Sequence, residues 1–144
     1  MKKLVVIASL LMSCLAAAET VTLADGKYSG KGWWKDGDGN KGEYTVEVTI
    51  ANHQITSKYA YASKNEEFSF KADIDENGFF EVKNGDEVIG EGYCMGPQCH
   101  YEIADDDVEL EETMTFYNDH LYRVGSKSLE DDDYVWVEVL DEVK

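Results

Sequence analysis

Glu43-Tyr44-Thr45-Val46-Glu47-Val48-Thr49-Ile50 is the stretch that decides the fold class. Tyr44, Val46, Val48 and Ile50 fall on one side, and Glu43, Thr45, Glu47 and Thr49 fall on the other. A repeat of two is the side-chain period of a β-strand with one face buried and one face in water. Phe68, Phe70, Ala72 and Ile74 repeat the pattern against Ser69, Lys71 and Asp73. Val135, Val137 and Val139 repeat it again near the end of the chain, with Trp136 on the opposite face. No segment sustains a helical stripe. Turn signals separate these runs at short intervals: Asp36-Gly37-Asp38-Gly39-Asn40, Asn77-Gly78, Asn84-Gly85, Gly96-Pro97 and Asn118-Asp119. The alternation predicts about ten strands, near 26–34, 42–50, 53–61, 66–74, 78–83, 87–94, 99–104, 107–117, 120–126 and 133–141. Hairpin-length loops make a meander the simplest topology, and closure of a long meander removes its exposed edges. The expected fold is all-β, an antiparallel up-and-down barrel of 8–10 strands, with a two-sheet sandwich as the alternative.

Outward from this core, the N-terminus reads as an export signal. Lys2 and Lys3 precede the apolar run Leu4 to Leu11, and Ala16-Ala17-Ala18 supplies the small residues of a cleavage site. The apolar run is too short to span a bilayer. Residues 1–18 are therefore read as a signal peptide and residues 19–144 as one β-barrel domain, periplasmic or secreted. Leu11-Met12-Ser13-Cys14 offers the alternative of a lipoprotein anchored through Cys14. Removing Lys2 and Lys3 with the signal leaves 11 basic residues against 30 acidic ones, a net charge of −19. Nucleic acid and anionic membrane surfaces would repel such a chain, whereas cationic partners would not. Nine Tyr, five Phe and three Trp supply enough large apolar groups for a core in a domain of this size.

Cleavage leaves Cys94 and Cys99, on either side of the turn Met95-Gly96-Pro97-Gln98. Opposed residues of an antiparallel pair lie within disulfide reach, so a Cys94–Cys99 bond is expected in an oxidising compartment. Two other readings use the same residues. Cys94, Cys99 and His100 form a widened relative of the c-type haem attachment motif, and they could supply zinc ligands with His53 or His120 as the fourth. A tight hairpin leaves little room for a porphyrin, so neither a cofactor nor a metal is expected.

The opening strand, Gly26-Lys27-Tyr28-Ser29-Gly30-Lys31-Gly32-Trp33-Trp34, resembles that of lipocalin-like barrels in its Gly32-Trp33-Trp34. Its spaced glycines also look like the first strand of nitrobindin-type ten-stranded barrels. The resemblance implies that Trp34 sits inside at the barrel floor beneath an arginine from a late strand, for which Arg123 is the only candidate in the chain. It also implies a small apolar or aromatic molecule bound in the barrel. The haem-ligating histidine of nitrobindins has His120 as its one late candidate here.

In Val108-Glu109-Leu110-Glu111-Glu112-Thr113-Met114-Thr115-Phe116, Glu112 falls on the face of Val108, Leu110, Met114 and Phe116. A carboxylate there is costly unless paired or protonated. It is read either as a ligand-orienting group inside a pocket, or as a residue turned out by a bulge or paired internally with Arg123. Asp36, Asp38, Asn40 and Glu43 loosely imitate a calcium loop, but a turn accounts for them equally. No nucleophile elbow, phosphate loop or metalloprotease motif occurs. The expectation is a non-enzymatic barrel that buries a small molecule against Tyr28, Trp34, Tyr44, Phe68 and Phe70, with Glu112 and Arg123 orienting it. The alternative is an acidic interaction or inhibitor protein engaging a cationic partner such as a lysozyme.

Overall fold

A computed structural model describes residues 23–144 except Asp106. The expected signal peptide at 1–18 and Cys14 lie outside the described residues. Ten antiparallel strands follow one another: β1 (Gly26–Asp36), β2 (Lys41–Ala51), β3 (Gln54–Ala60), β4 (Asn65–Ala72), β5 (Phe79–Asn84), β6 (Glu87–Met95), β7 (Gln98–Asp105), β8 (Val108–Tyr117), β9 (His120–Leu129) and β10 (Asp132–Glu142). Each pairs with its sequence neighbours, and β1 closes on β10, giving an up-and-down barrel.

The turns follow from local chemistry. Asn52 and His53 both take positive φ, as do Asn118 and Asp119, which is the twist that a two-residue hairpin needs. His53 thus belongs to the turn, and β3 starts one residue later than the alternation suggests. In the Asp36–Asn40 turn both carboxylate oxygens of Asp36 accept from Asn40, one from the backbone N–H at 2.7 Å and one from the side chain at 2.8 Å. Gly39, at φ 88°, completes that turn.

Val46, Val48, Ile50 and Tyr44 face inward as expected, and Ile55, Phe70, Ala72, Met114, Leu121 and Leu140 join them. Leu23, just ahead of β1, is buried with this group at the end of the barrel where β1 begins. At the opposite end Trp34, Tyr61, Ile89 and Leu110 are only half-buried. Inward aromatics fit because glycines lie beneath them. A Cβ at Gly32 would stand 2.2 Å from the Tyr44 ring, and one at Gly125 would stand 2.3 Å from the Trp136 ring.

One face assignment is corrected. Val135, Val137 and Val139 point outward and are exposed, while Trp136, Glu138 and Leu140 point inward. The alternation marks the strand correctly, but its apolar members line the outer surface.

Candidate functional site

Arg123 on β9 occupies the middle of the barrel and is 1 % exposed. Its Nε donates to Glu112 Oε1 at 2.7 Å, Nη1 to Ser57 Oγ at 3.0 Å and Nη2 to Tyr59 Oη at 3.1 Å. Nη1 also lies 3.1 Å from Glu138 Oε2, so the guanidinium stands between two carboxylates instead of clasping Glu112 at two points. Strand β8 runs without a bulge against both neighbours, so Glu112 stays inside at 1 % exposure. Tyr101 Oη donates to Glu112 Oε1 at 2.9 Å, and Trp136 Nε1 donates to Oε2 at 2.9 Å. Tyr44 Oη donates to Glu138 Oε1 at 2.7 Å.

One cation between two carboxylates leaves the cluster with an excess negative charge if both acids ionise. Burial would lower the Arg123 pKa, but the charges of Glu112 and Glu138 outweigh it and hold the guanidinium firmly protonated. Burial raises the Glu138 pKa, Arg123 opposes the rise, and the Glu112 charge adds to it. Glu138 Oε2 has no hydrogen bond of good geometry, which makes this residue the weakly held member of the cluster. Tyr101 and Tyr59 are pushed up mainly by burial, so both stay neutral donors.

Of the residues singled out by sequence, Glu112 and Arg123 come together, and Tyr44 reaches the same cluster through Glu138. Phe70 packs on Tyr101 at 4.7 Å between ring centres, with Phe68 behind it at 5.7 Å. Tyr28 and Trp34 do not share a site with each other: they lie six residues apart on β1, about 20 Å. Tyr28 meets Phe116 edge-on at 5.9 Å, and Trp34 lies near Tyr134 at 6.1 Å. The tryptophan hydrogen-bonded into the Arg123 cluster is Trp136. Cys94 and Cys99 form the expected disulfide between opposed positions of β6 and β7. Their sulfurs are therefore unavailable as zinc thiolates or haem thioethers. His53 lies in the β2–β3 turn, and His120 Nδ1 sits 2.7 Å from Asp141 Oδ1 on the surface.

The outer face carries a second feature, which depends on register. Trp33, Val137, Val124, Thr113, His100, Tyr93 and Phe79 stand directly opposite one another across β1, β10, β9, β8, β7, β6 and β5. Most of this row is apolar and exposed. Beside it, Glu111, Glu102, Glu91 and Glu81 form an equally direct row across β8 to β5. Two surface grooves follow these rows and meet at His100. One, of about 910 Å³, runs along Trp33, Val135, Val137, Val124 and Glu111, and the inward-facing Trp34, Glu112 and Trp136 also line it. The other, of about 580 Å³, runs along Phe79, Tyr93, Glu81, Glu91 and Glu102. Lys35 and Lys41 stand at the far end of the larger groove.

No protein-family model matches the chain, and no curated protein matches it. Among solved structures, the isotype 1 transferrin binding protein B of serogroup B Neisseria meningitidis is similar over 86 % of this chain at 10 % identity, with a TM-score of 0.44. The chain spans 26 % of that protein's length.

Proposed function

We propose that this is an exported, non-enzymatic interaction protein that engages a cationic protein partner through the outer face of its barrel. The observation that supports this reading is the apolar row from Trp33 to Phe79 lying beside the glutamate row. Exposed apolar side chains aligned in one row, interrupted only at Thr113 and His100, favour burial against a partner, and a flanking stripe of carboxylates selects one carrying lysine or arginine. The net charge of −17 for the whole chain adds long-range attraction for such a partner. The barrel centre points the same way. Phe70, Glu112, Arg123 and Tyr101 are packed by one another, whereas an interior carrier needs unfilled space at those positions.

No helix among the described residues is long and apolar enough to cross a membrane. The outer face presents Glu47, Lys58, Glu67, Glu81, Glu91 and Glu102 where a lipid-facing barrel would carry an apolar band. A photo-crosslinker placed at Val124 should trap a basic protein in the producing cell, and the same group at Glu47 should not. Equal labelling from both positions would remove the case for a dedicated face.

A second reading keeps the lipocalin-like expectation. The half-buried Trp34, Tyr61, Ile89 and Leu110 rim the end of the barrel away from Leu23, where a small apolar or aromatic molecule could lodge above the Arg123 cluster. Saturable quenching of tryptophan fluorescence by such a molecule, lost on Trp34→Ala, is its test.

A further inference from the structure

His100, Glu102 and Glu111 stand together where the two grooves meet, outside the Arg123 cluster. One ligating atom from each lies within 4.8 Å of the other two. The imidazole is anchored from behind, because Nδ1 sits 3.0 Å from Thr113 Oγ1, its partner across the β7–β8 pair. As the side chains stand, Nε2–H donates to Glu102 Oε1 at 3.3 Å and Nδ1 accepts from the Thr113 hydroxyl; a metal ion would take the place of the Nε2 proton, with Nδ1–H then donated to Thr113. This is the arrangement in which histidines bind metals, the second nitrogen fixing tautomer and ring angle. Glu111 is held too, since Ser126 Oγ donates to its Oε1 at 3.0 Å.

The charge pattern supports the same conclusion. Glu81, Glu91, Glu102 and Glu111 are direct cross-strand neighbours, and like charges so placed work against strand pairing. Lys83 answers Glu81 at 2.9 Å. Among the described residues no lysine or arginine forms an ion pair with Glu91, Glu102 or Glu111.

We propose that His100, Glu102 and Glu111 form a divalent transition-metal site on the outer face of β7 and β8, with Zn²⁺ the ion that fits it. One imidazole nitrogen and two carboxylate oxygens are borderline-to-hard donors that suit zinc and leave a fourth position open. Zinc bonds of 2.0–2.1 Å would place the donors about 3.4 Å apart, so the exposed Glu102 and Glu111 side chains would rotate inward on binding. The open position faces the groove junction, where water or a donor from a bound protein would complete the shell. The site stands on its own geometry and does not depend on the docking reading.

The test is calorimetric titration of tag-free mature protein with Zn²⁺ alone. One saturable site is expected. His100→Ala should weaken binding at least tenfold, Thr113→Val by roughly 10-fold through loss of the ring anchor, and the pair Glu102→Gln/Glu111→Gln should abolish it. Glu81→Gln, in the same row but outside the cluster, should change nothing. All five positions face outward, and a barrel circular-dichroism spectrum confirms that each variant folds. Absence of saturable binding overturns the proposal. So does binding that survives His100→Ala, or binding that falls equally with Glu81→Gln, since either marks a diffuse acidic surface.

Discussion

Glu112 and Glu138 flank the same arginine, yet replacing each by glutamine should have opposite consequences. Glu112 accepts three hydrogen bonds, from Arg123 and Tyr101 on Oε1 and from Trp136 on Oε2. A glutamine there must aim its NH₂ at another donor and loses the charge that faces Arg123. Breaking one side of a buried ion pair costs about 3–5 kcal/mol, so Glu112→Gln should lose that much. Glu138 accepts one bond, from Tyr44, and its second oxygen meets Arg123 Nη1 as an ion pair at 3.1 Å but without a hydrogen bond of good geometry. A glutamine can turn its oxygen toward Arg123 and donate its NH₂ to Tyr44 Oη, so Glu138→Gln should be neutral or stabilising at neutral pH. The pH dependence separates the two further. The folded-state pKa of Glu138 is raised above its ordinary 4.5, so the fold binds its proton more tightly than the unfolded chain does. That contribution is complete below the unfolded pKa and disappears as pH rises through the raised folded one, at up to about 1.4 kcal/mol per pH unit. Wild-type stability should therefore lose ground from about pH 4.5 upward relative to Glu138→Gln, which lacks this slope. Urea unfolding of the three proteins across pH 4–9 measures both effects. Equal losses for the two glutamines, or wild-type and Glu138→Gln curves that run parallel across the range, would refute the reasoning.

Intact mass of the exported protein should correspond to a chain beginning at Glu19 and two hydrogens lighter than its reduced form; a diacylated Cys14 would reverse the assignment. Cys94→Ser/Cys99→Ser should keep the barrel spectrum and lose about 2 kcal/mol in chemical unfolding, because the bond closes a very short loop. Gly30→Ala should lose more than a surface change does, about 1–3 kcal/mol, since its Cβ would stand 2.1 Å from the Val139 carbonyl oxygen. Val137→Glu should leave stability within about 0.5 kcal/mol of wild type, while weakening any association made through the outer face.

Alternation alone exposed all ten strands, because nearly every loop is a hairpin with its own Gly, Asn or Asp signal. Closure followed from strand count and connectivity. The Glu112–Arg123 pair was legible because each charge interrupts an inward face. Glu138 was not: Val135, Val137 and Val139 are as apolar as any core stripe, and only the β1 and β9 registers show that Trp136, Glu138 and Leu140 point inward. A signal was present in the glutamate lying between Trp136 and Leu140 and opposite Arg123, but it becomes visible only once the strands are paired. Trp34 and Trp136 are opposed residues of β1 and β10, so the choice of which tryptophan meets the arginine cluster rests on tilt and closure. The outer rows were invisible for the same reason. Each strand contributes one residue, and nothing in the sequence relates Trp33 to Phe79 until seven strands are in register.

Native mass spectrometry of the protein isolated from its producing cell weighs the outer face against the interior most directly. The barrel should appear free of any small molecule and in a complex with a basic protein that dissociates as salt rises, and Val137→Glu should weaken that complex. A stoichiometric small-molecule mass retained on the chain, with no protein complex, would contradict the assignment to the outer face and favour the barrel mouth.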